Sequence, residues 1–278
     1  MSFACPRPIL LAAALSLLFS NNSEARELRV CADPNNLPFS NARGEGFENE
    51  IAELIAKELG ANLSYFWWAQ RRGFIRSTLN AGLCDLVIGS ALGVEMLRTT
   101  RPYYRSSYMF VTRRDGPQVV SLDDPKLRSL RVGLQLIGNN GDNPPPAEAL
   151  ATRGIVTNVR GYPVYGDDRD ANPGATIVFA VARGEIDVAL VWGPLAGYYV
   201  ARASVPLNLT PIEPQIDGPR RPMVFDISMG VRKKDDALKD DVNRALVRLH
   251  PDIDSILASY RVPRLDNEAH NTLGGAPR

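Results

Sequence analysis

Histidine and cysteine are scarce in this chain of 278 residues: there are two histidines, His250 and His270, and three cysteines. Both histidines sit late in the sequence. A histidine-based metal site, or a Ser–His or Cys–His catalytic pair, therefore lacks its residues. Cys-x-x-Cys spacing is missing too. Neither sign of charge is in excess; the formal net charge is +1. That balance offers no basic footprint for nucleic acid and no acidic solvating tail. Long apolar runs are missing except at the start, and the run there, Ile9 to Phe19, falls short of the ~20 residues of a membrane-spanning helix. Enzyme fingerprints are equally poor. Gly44-Glu45-Gly46 lacks the third glycine of a dinucleotide loop, and Gly89-Ser90-Ala91-Leu92-Gly93 misses the nucleophile-elbow spacing by one residue. No carboxylate pair stands out as acid and base. The expectation is a protein that is not an enzyme, with no catalytic residues and no bound cofactor.

The chain is 45% hydrophobic, enough for one large core or two modest ones, so disorder is not expected for most of it. Its first segment reads as a secretory signal. Arg7 supplies a positive start, Ile9 to Phe19 a compact apolar stretch, and Ser23-Glu24-Ala25 a small-x-small cleavage site. Residues 1–25 are expected to be removed, leaving an exported periplasmic chain with no membrane span. Export would leave Cys31 and Cys84 as the only cysteines.

The remaining chain alternates short apolar runs with helical periodicity. Leu28 to Ala32 predicts a buried strand, Phe47 to Leu59 a helix ended by Gly60, Leu63 to Trp68 a strand, Phe74 to Ala81 a helix, and Leu86 to Gly89 a strand. Tyr108 to Thr112 is a further strand. The pattern then restarts: Leu130 to Leu134 (LRVGL) echoes LRVCA. A helix is expected over 147–152, a strand over 156–160, a helix over 175–182, and a strand over 188–192 followed by a helix through Ala203. A late strand, 227–231, and two helices, 238–249 and 253–260, have no third unit to join and are expected to complete the first. The predicted architecture is α/β with two lobes, each a doubly wound, mostly parallel sheet. Lobe one is assigned 26–112 with 224–278, and lobe two 113–223.

Ligands of such sheets bind beyond the carboxyl ends of strands, here in an interlobe cleft. That places Asp33, Asn35, Asn36, Arg71, Arg72, Ser90, Asn139 and Trp192 as candidate binding residues. Asp33 leaves the first strand at that edge. Asn35 and Asn36 can serve turns or ligand. Arg71 and Arg72 precede a helix and suit a carboxylate or phosphate. Trp192 offers a face for a planar solute or a partner's apolar anchor. Of Trp67 and Trp68, strand alternation sends at most one to the cleft. Asp167 to Gly174 has oxygen ligands at alternate positions. Pro173 and Phe179 nevertheless stand where a calcium loop needs Gly and Glu, so no metal is expected. Cys31 and Cys84 fall at opposite ends of neighbouring strands, staggered by ~13 Å at ~3.3 Å per residue. A disulfide needs Cα atoms within ~4.4–6.8 Å, so two buried free thiols are expected.

The opening LRVCAD followed by PFS, the helix GFENEIAELIAKELG, AGLCDLVIGS, RPYY and SMGVRKKDDALKDDVNRAL resemble the type II periplasmic binding proteins of amino-acid transporters. CADPNNLPFSN, WWAQRRGF, GEIDVALVWGPLAGYY and RRPMVFDISMGVRK narrow this to a resemblance to the MoxJ/XoxJ family, periplasmic accessory proteins of PQQ-dependent methanol dehydrogenase systems. The resemblance implies a non-catalytic binding protein whose partners are a quinoprotein methanol dehydrogenase and, as a further candidate, its cytochrome. It also exposes departures from the amino-acid binders. Gly93 stands where those hold a carboxylate-gripping Arg, Trp192 where they hold an ammonium-gripping Asp, and Arg72 where they hold a stacking aromatic. A free amino acid would bury both charges unpaired, at a cost of about several kcal/mol. Rival expectations are a transporter receptor for a small anionic or planar solute, a small-acid dehydratase, and binding of PQQ itself through Arg71 and Arg72.

Overall fold

The fold is given by a computed structural model that describes residues 26–136, 143–163 and 172–265. Residues 1–25, read above as a signal, Asn139 and Asp167 to Asp170 lie outside the described residues. Apolar runs and helical periods become elements largely where the sequence places them. In the first half these are β1 (Arg26–Ala32), the small hairpin β2 (Asn35–Asn36) and β3 (Ser40–Asn41), α1 (Phe47–Glu58), β4 (Ala61–Trp67), α2 (Phe74–Ser77), β5 (Leu86–Ala91) and β6 (Arg98–Arg113). The second half contains β7 (Val132–Leu136), α3 (Pro145–Thr152), β8 (Val159–Pro163), α4 (Ala175–Ala182), β9 (Val188–Trp192), α5 (Gly193–Val200) and β10 (Leu207–Pro211). A second small hairpin, β11 (Ile216–Asp217) and β12 (Arg221–Pro222), leads to β13 (Val224–Val231), α6 (Asp236–Arg248) and α7 (His250–Ser259).

One sheet runs through the molecule in the order β4-β1-β5-β13-β6-β9-β7-β8, with β10 also on β6. Two parallel triplets, β4-β1-β5 and β8-β7-β9, flank an antiparallel centre. The centre depends on the length of β6. From Arg98 to Ser107 it pairs with β13, and from Tyr108 to Arg113 with β9 and β10. Strand alternation sorts the side chains to two faces. Leu28, Val30, Leu86 and Ile88 pack with α1, α6 and α7, while Cys31 and Val87 meet Phe74 and Leu79 on the other face. In the second half Val111, Ala189 and Val191 pack with α4 and α5, and Phe110, Val188 and Leu190 with α3.

The echo between LRVCA and LRVGL is structural. Arg29 grips Asp85 with two guanidinium N–H groups, at 2.9 and 2.8 Å, and Asp85 N–H donates to the Arg29 carbonyl at 2.7 Å. Arg131 grips Asp187 in the same way, at 3.0 and 2.6 Å, and Asp187 N–H donates to the Arg131 carbonyl at 2.9 Å. Arg29 lies within β1 and Arg131 just before β7, and each is tied to the residue that precedes the neighbouring parallel strand, β5 or β9. Two-pronged, charge-assisted pairing of this kind fixes orientation as well as proximity.

Two expectations are corrected. The helix predicted over 74–81 is a single turn, because the Thr78 backbone leaves helical geometry (φ −120°, ψ −80°) and its hydroxyl donates to the Phe74 carbonyl at 2.7 Å. Cys31 and Cys84 are not free thiols but a disulfide, with Cα atoms 5.4 Å apart. The expected stagger assumed strand rise through Cys84. The chain instead turns at Gly82 (φ 77°) and enters β5 only at Leu86, so Cys84 lies over the face to which Cys31 points.

Candidate ligand cavity

A cavity of about 440 Å³ opens where the carboxyl ends of the two parallel triplets meet the crossing strands. Part of its wall comes from Asn36 and Phe39 of the loop after β1, Glu48 of α1, Gln70 after β4, Gly89 to Ala91 of β5, Tyr104 and Tyr108 of β6, and Phe225 with Ile227 of β13. The second half adds Gln135 of β7, Asn143 to Pro145 before and into α3, and Trp192 at the end of β9.

Local chemistry sets these positions. Asp33 is buried, and both its oxygens are taken by backbone: Oδ1 accepts from Asn35 N–H at 2.9 Å and Oδ2 from Gln70 N–H at 2.7 Å. It thus joins the loops after β1 and β4. The Asn36 amide then donates to Gln70 Oε1 at 3.2 Å. Across the cavity, Gln135 Oε1 accepts from Trp192 N–H at 2.7 Å, which fixes the turn from β9 into α5. The Trp192 ring meets Tyr108 edge-on at 5.3 Å and Phe225 at 5.8 Å, forming one aromatic corner.

The sequence candidates separate on this geometry. Asn36, Ser90 and Trp192 line the cavity together. Asp33 supports it from behind, and Asn35 is not part of the wall. Arg71 and Arg72 are exposed and lie outside the lining, beside a helix of only four residues. Trp67 stacks on Tyr65 at 4.6 Å within the packing of the first half, and Trp68 is exposed against Phe66, so neither tryptophan of that pair reaches the cavity. No group of three or more His, Cys, Asp and Glu side chains that could hold a metal exists among the described residues.

Sequence reasoning passed over Glu48. Its carboxyl lies against β5, where a Cβ added to Gly89 would stand 2.0 Å from Oε1. The glycine is what makes room for it. Burial, and then the negative charge of Asp33, push the Glu48 carboxyl up to about 8. One signal was present: a glutamate at the second position of a helix whose other early residues, Phe47 and Asn49, are core. Helical periodicity alone assigns such a residue to solvent.

Residues 28–262 match the family of bacterial extracellular solute-binding proteins, family 3, and the chain belongs to that family. Its fold is that of the type II periplasmic binding proteins, α/β and two-lobed. More particularly, it is similar to Protein MoxJ of Paracoccus denitrificans, 33% identical over 91% of this chain and 95% of that protein. It is equally similar to Protein MoxJ of Methylorubrum extorquens, 33% identical over 87% of this chain and 83% of that protein. Among solved structures, the periplasmic binding protein XoxJ of Methylobacterium extorquens AM1 superposes with a TM-score of 0.69 at 35% identity, covering 86% of this chain and 99% of that one. The chain is thus a solute-binding protein of the MoxJ/XoxJ type. No helix among the described residues is long and apolar enough to cross a membrane.

Proposed function

We propose that this protein is a non-catalytic periplasmic accessory factor of a PQQ-dependent methanol dehydrogenase system, acting through the cavity or its rim. The observation that carries the reading is the similarity to two MoxJ proteins over nearly the whole chain. The cavity wall supports it. Glu48 is the only carboxylate in the lining, and no lysine, arginine or histidine stands with it, so a general acid and base pair has no second member there among the described residues. In this reading residues 1–25 direct export and are cleaved after Ala25. Residues 26–112 with 224–278 form one lobe and 113–223 the other. The lobes move about the crossing of β6 and β13 to close on a ligand or on a segment of the dehydrogenase.

The experiment is a pull-down with the purified mature protein against periplasmic extract from its own source, read by mass spectrometry for proteins and small molecules. A quinoprotein dehydrogenase retained above a control binding protein is the expected result. A small solute retained without that enzyme would overturn the accessory reading and favour a transport receptor, for which a 440 Å³ cavity is of suitable size.

A further inference from the structure

We propose that the cavity is a receptor site for a small organic amine, its ammonium group held by the Glu48 carboxylate and its apolar body by Trp192, Tyr108 and Phe225. The inference rests on reading the cavity as a ligand site and adds the chemical class of the ligand. It is independent of which protein the chain assists.

The composition of the wall is the first ground. Among the sixteen described residues of the wall one is acidic and none is basic. Among the described residues an anion would leave water with no counter-charge there, whereas an ammonium has one. The same count argues against a free amino acid, whose carboxylate would be unmatched. Glu48 itself is the second ground. No hydrogen bond or ion pair to a described residue occupies its carboxyl, and its nearest charged neighbour is another carboxylate, Asp33, already committed to two backbone amides. A half-buried acid held against Gly89 with no partner among the described residues is open to one that enters the cavity. The aromatic corner is the third. Rings whose faces carry negative potential favour a cation beside them, and Trp192, Tyr108 and Phe225 all line the cavity.

Protonation follows from the surroundings of Glu48. Facing it are Asp33 after β1, Tyr65 of β4, and Tyr103 and Tyr104 of β6. Burial keeps all three phenols neutral, and no cation is among these groups. In the empty protein at neutral pH the Glu48 carboxyl is therefore mostly protonated. Binding an ammonium expels that proton, so amine affinity rises with pH up to about 8 and levels off above it.

Isothermal titration calorimetry tests this with three probes of one shape: benzylammonium, benzyl alcohol and benzoate. Between about pH 6.5 and 8.5 the amine stays charged. Benzylammonium is expected to bind at least ~10-fold tighter than the alcohol, with benzoate weakest. Its heat should vary with buffer ionisation enthalpy, reporting the released proton. Glu48→Gln should reduce the amine to the level of the alcohol, and Gly89→Ala, which drives the carboxyl away, should do likewise. Trp192→Ala should weaken amine and alcohol together. Thermal midpoints of each variant establish that it is folded. Absence of amine binding, equal affinity for amine and alcohol, preference for benzoate, or an amine affinity untouched by Glu48→Gln would each overturn the proposal. Those outcomes leave the pull-down result standing, so the two readings fail separately.

Discussion

Glu48 carries the sharpest consequence at the scale of a single residue. Its carboxyl titrates near 8 in the folded protein against 4.5 as the ordinary value. Between those pH values the unfolded chain has lost the proton and the folded chain retains it. Stability of the empty protein from this group is therefore greatest below about pH 4.5, declines as pH rises toward 8, and is level above. Glu48→Gln should remove that decline and raise the thermal midpoint most at pH 8 to 9, which a series of melting curves across pH would reveal. An unchanged slope would mean that other groups set the pH response. This residue was illegible in the sequence, where a glutamate near a helix start reads as an ordinary surface acid. What makes it unusual is Gly89, more than forty positions away, whose missing Cβ leaves the space the carboxyl fills. Asp33 shows the converse. The sequence placed it correctly beyond β1, but its oxygens serve the backbone of Asn35 and Gln70 and not the cavity wall.

At the scale of elements, periodicity worked where a segment is buried on both faces. β1, β5 and β9 read as short, mainly apolar runs and appear where expected, as does α1 with its stripe of Ile51, Ile55 and Phe47. The reading fell short in β6. Only Tyr108 to Thr112 is apolar enough to signal a strand, yet the strand begins ten residues earlier, at Arg98. That polar stretch is extended because β13, distant in sequence, pairs along it. The disulfide was hidden for a similar reason, since the turn at Gly82 decides which face Cys84 reaches. The bridge closes a loop of 53 residues that contains α1, β4 and α2. Chain-entropy reasoning gives its removal a cost of about 4 kcal/mol. Replacing both cysteines by alanine should lower the denaturant midpoint accordingly, measured on the oxidised wild type and the variant. A shift of under about 1 kcal/mol would show that the unfolded chain gains little freedom when the bridge is lost.

For the whole molecule, the two halves share both a sheet and side chains. β6 is continuous through both, Phe39 packs against the cores of each, and Trp192 and Phe225 bridge the first-half core and the α3 side of the second. Unfolding one half would strip the other of packing. Differential scanning calorimetry should accordingly show a single transition with calorimetric and van't Hoff enthalpies in agreement. Two resolved transitions would mean that the lobes hold together independently despite the shared strands. A cavity at such a junction changes shape with small rotations, because its wall is drawn from both sides of the crossing.

The amino-acid sequence by itself determined the α/β class, the tandem repeat and the solute-binding family, because these rest on local period and on short motifs that survive as text. It also placed Asn36, Ser90 and Trp192 near strand ends, from which the cavity takes its wall. Tertiary structure alone decided the rest: that Arg71 and Arg72 stay outside the wall, that Cys31 meets Cys84, and that Glu48 shares a cavity with the aromatic corner. Those outcomes depend on which face a side chain takes after a turn and on what lies across the sheet from it. Both are set by long-range pairing, which no window of neighbouring residues encodes.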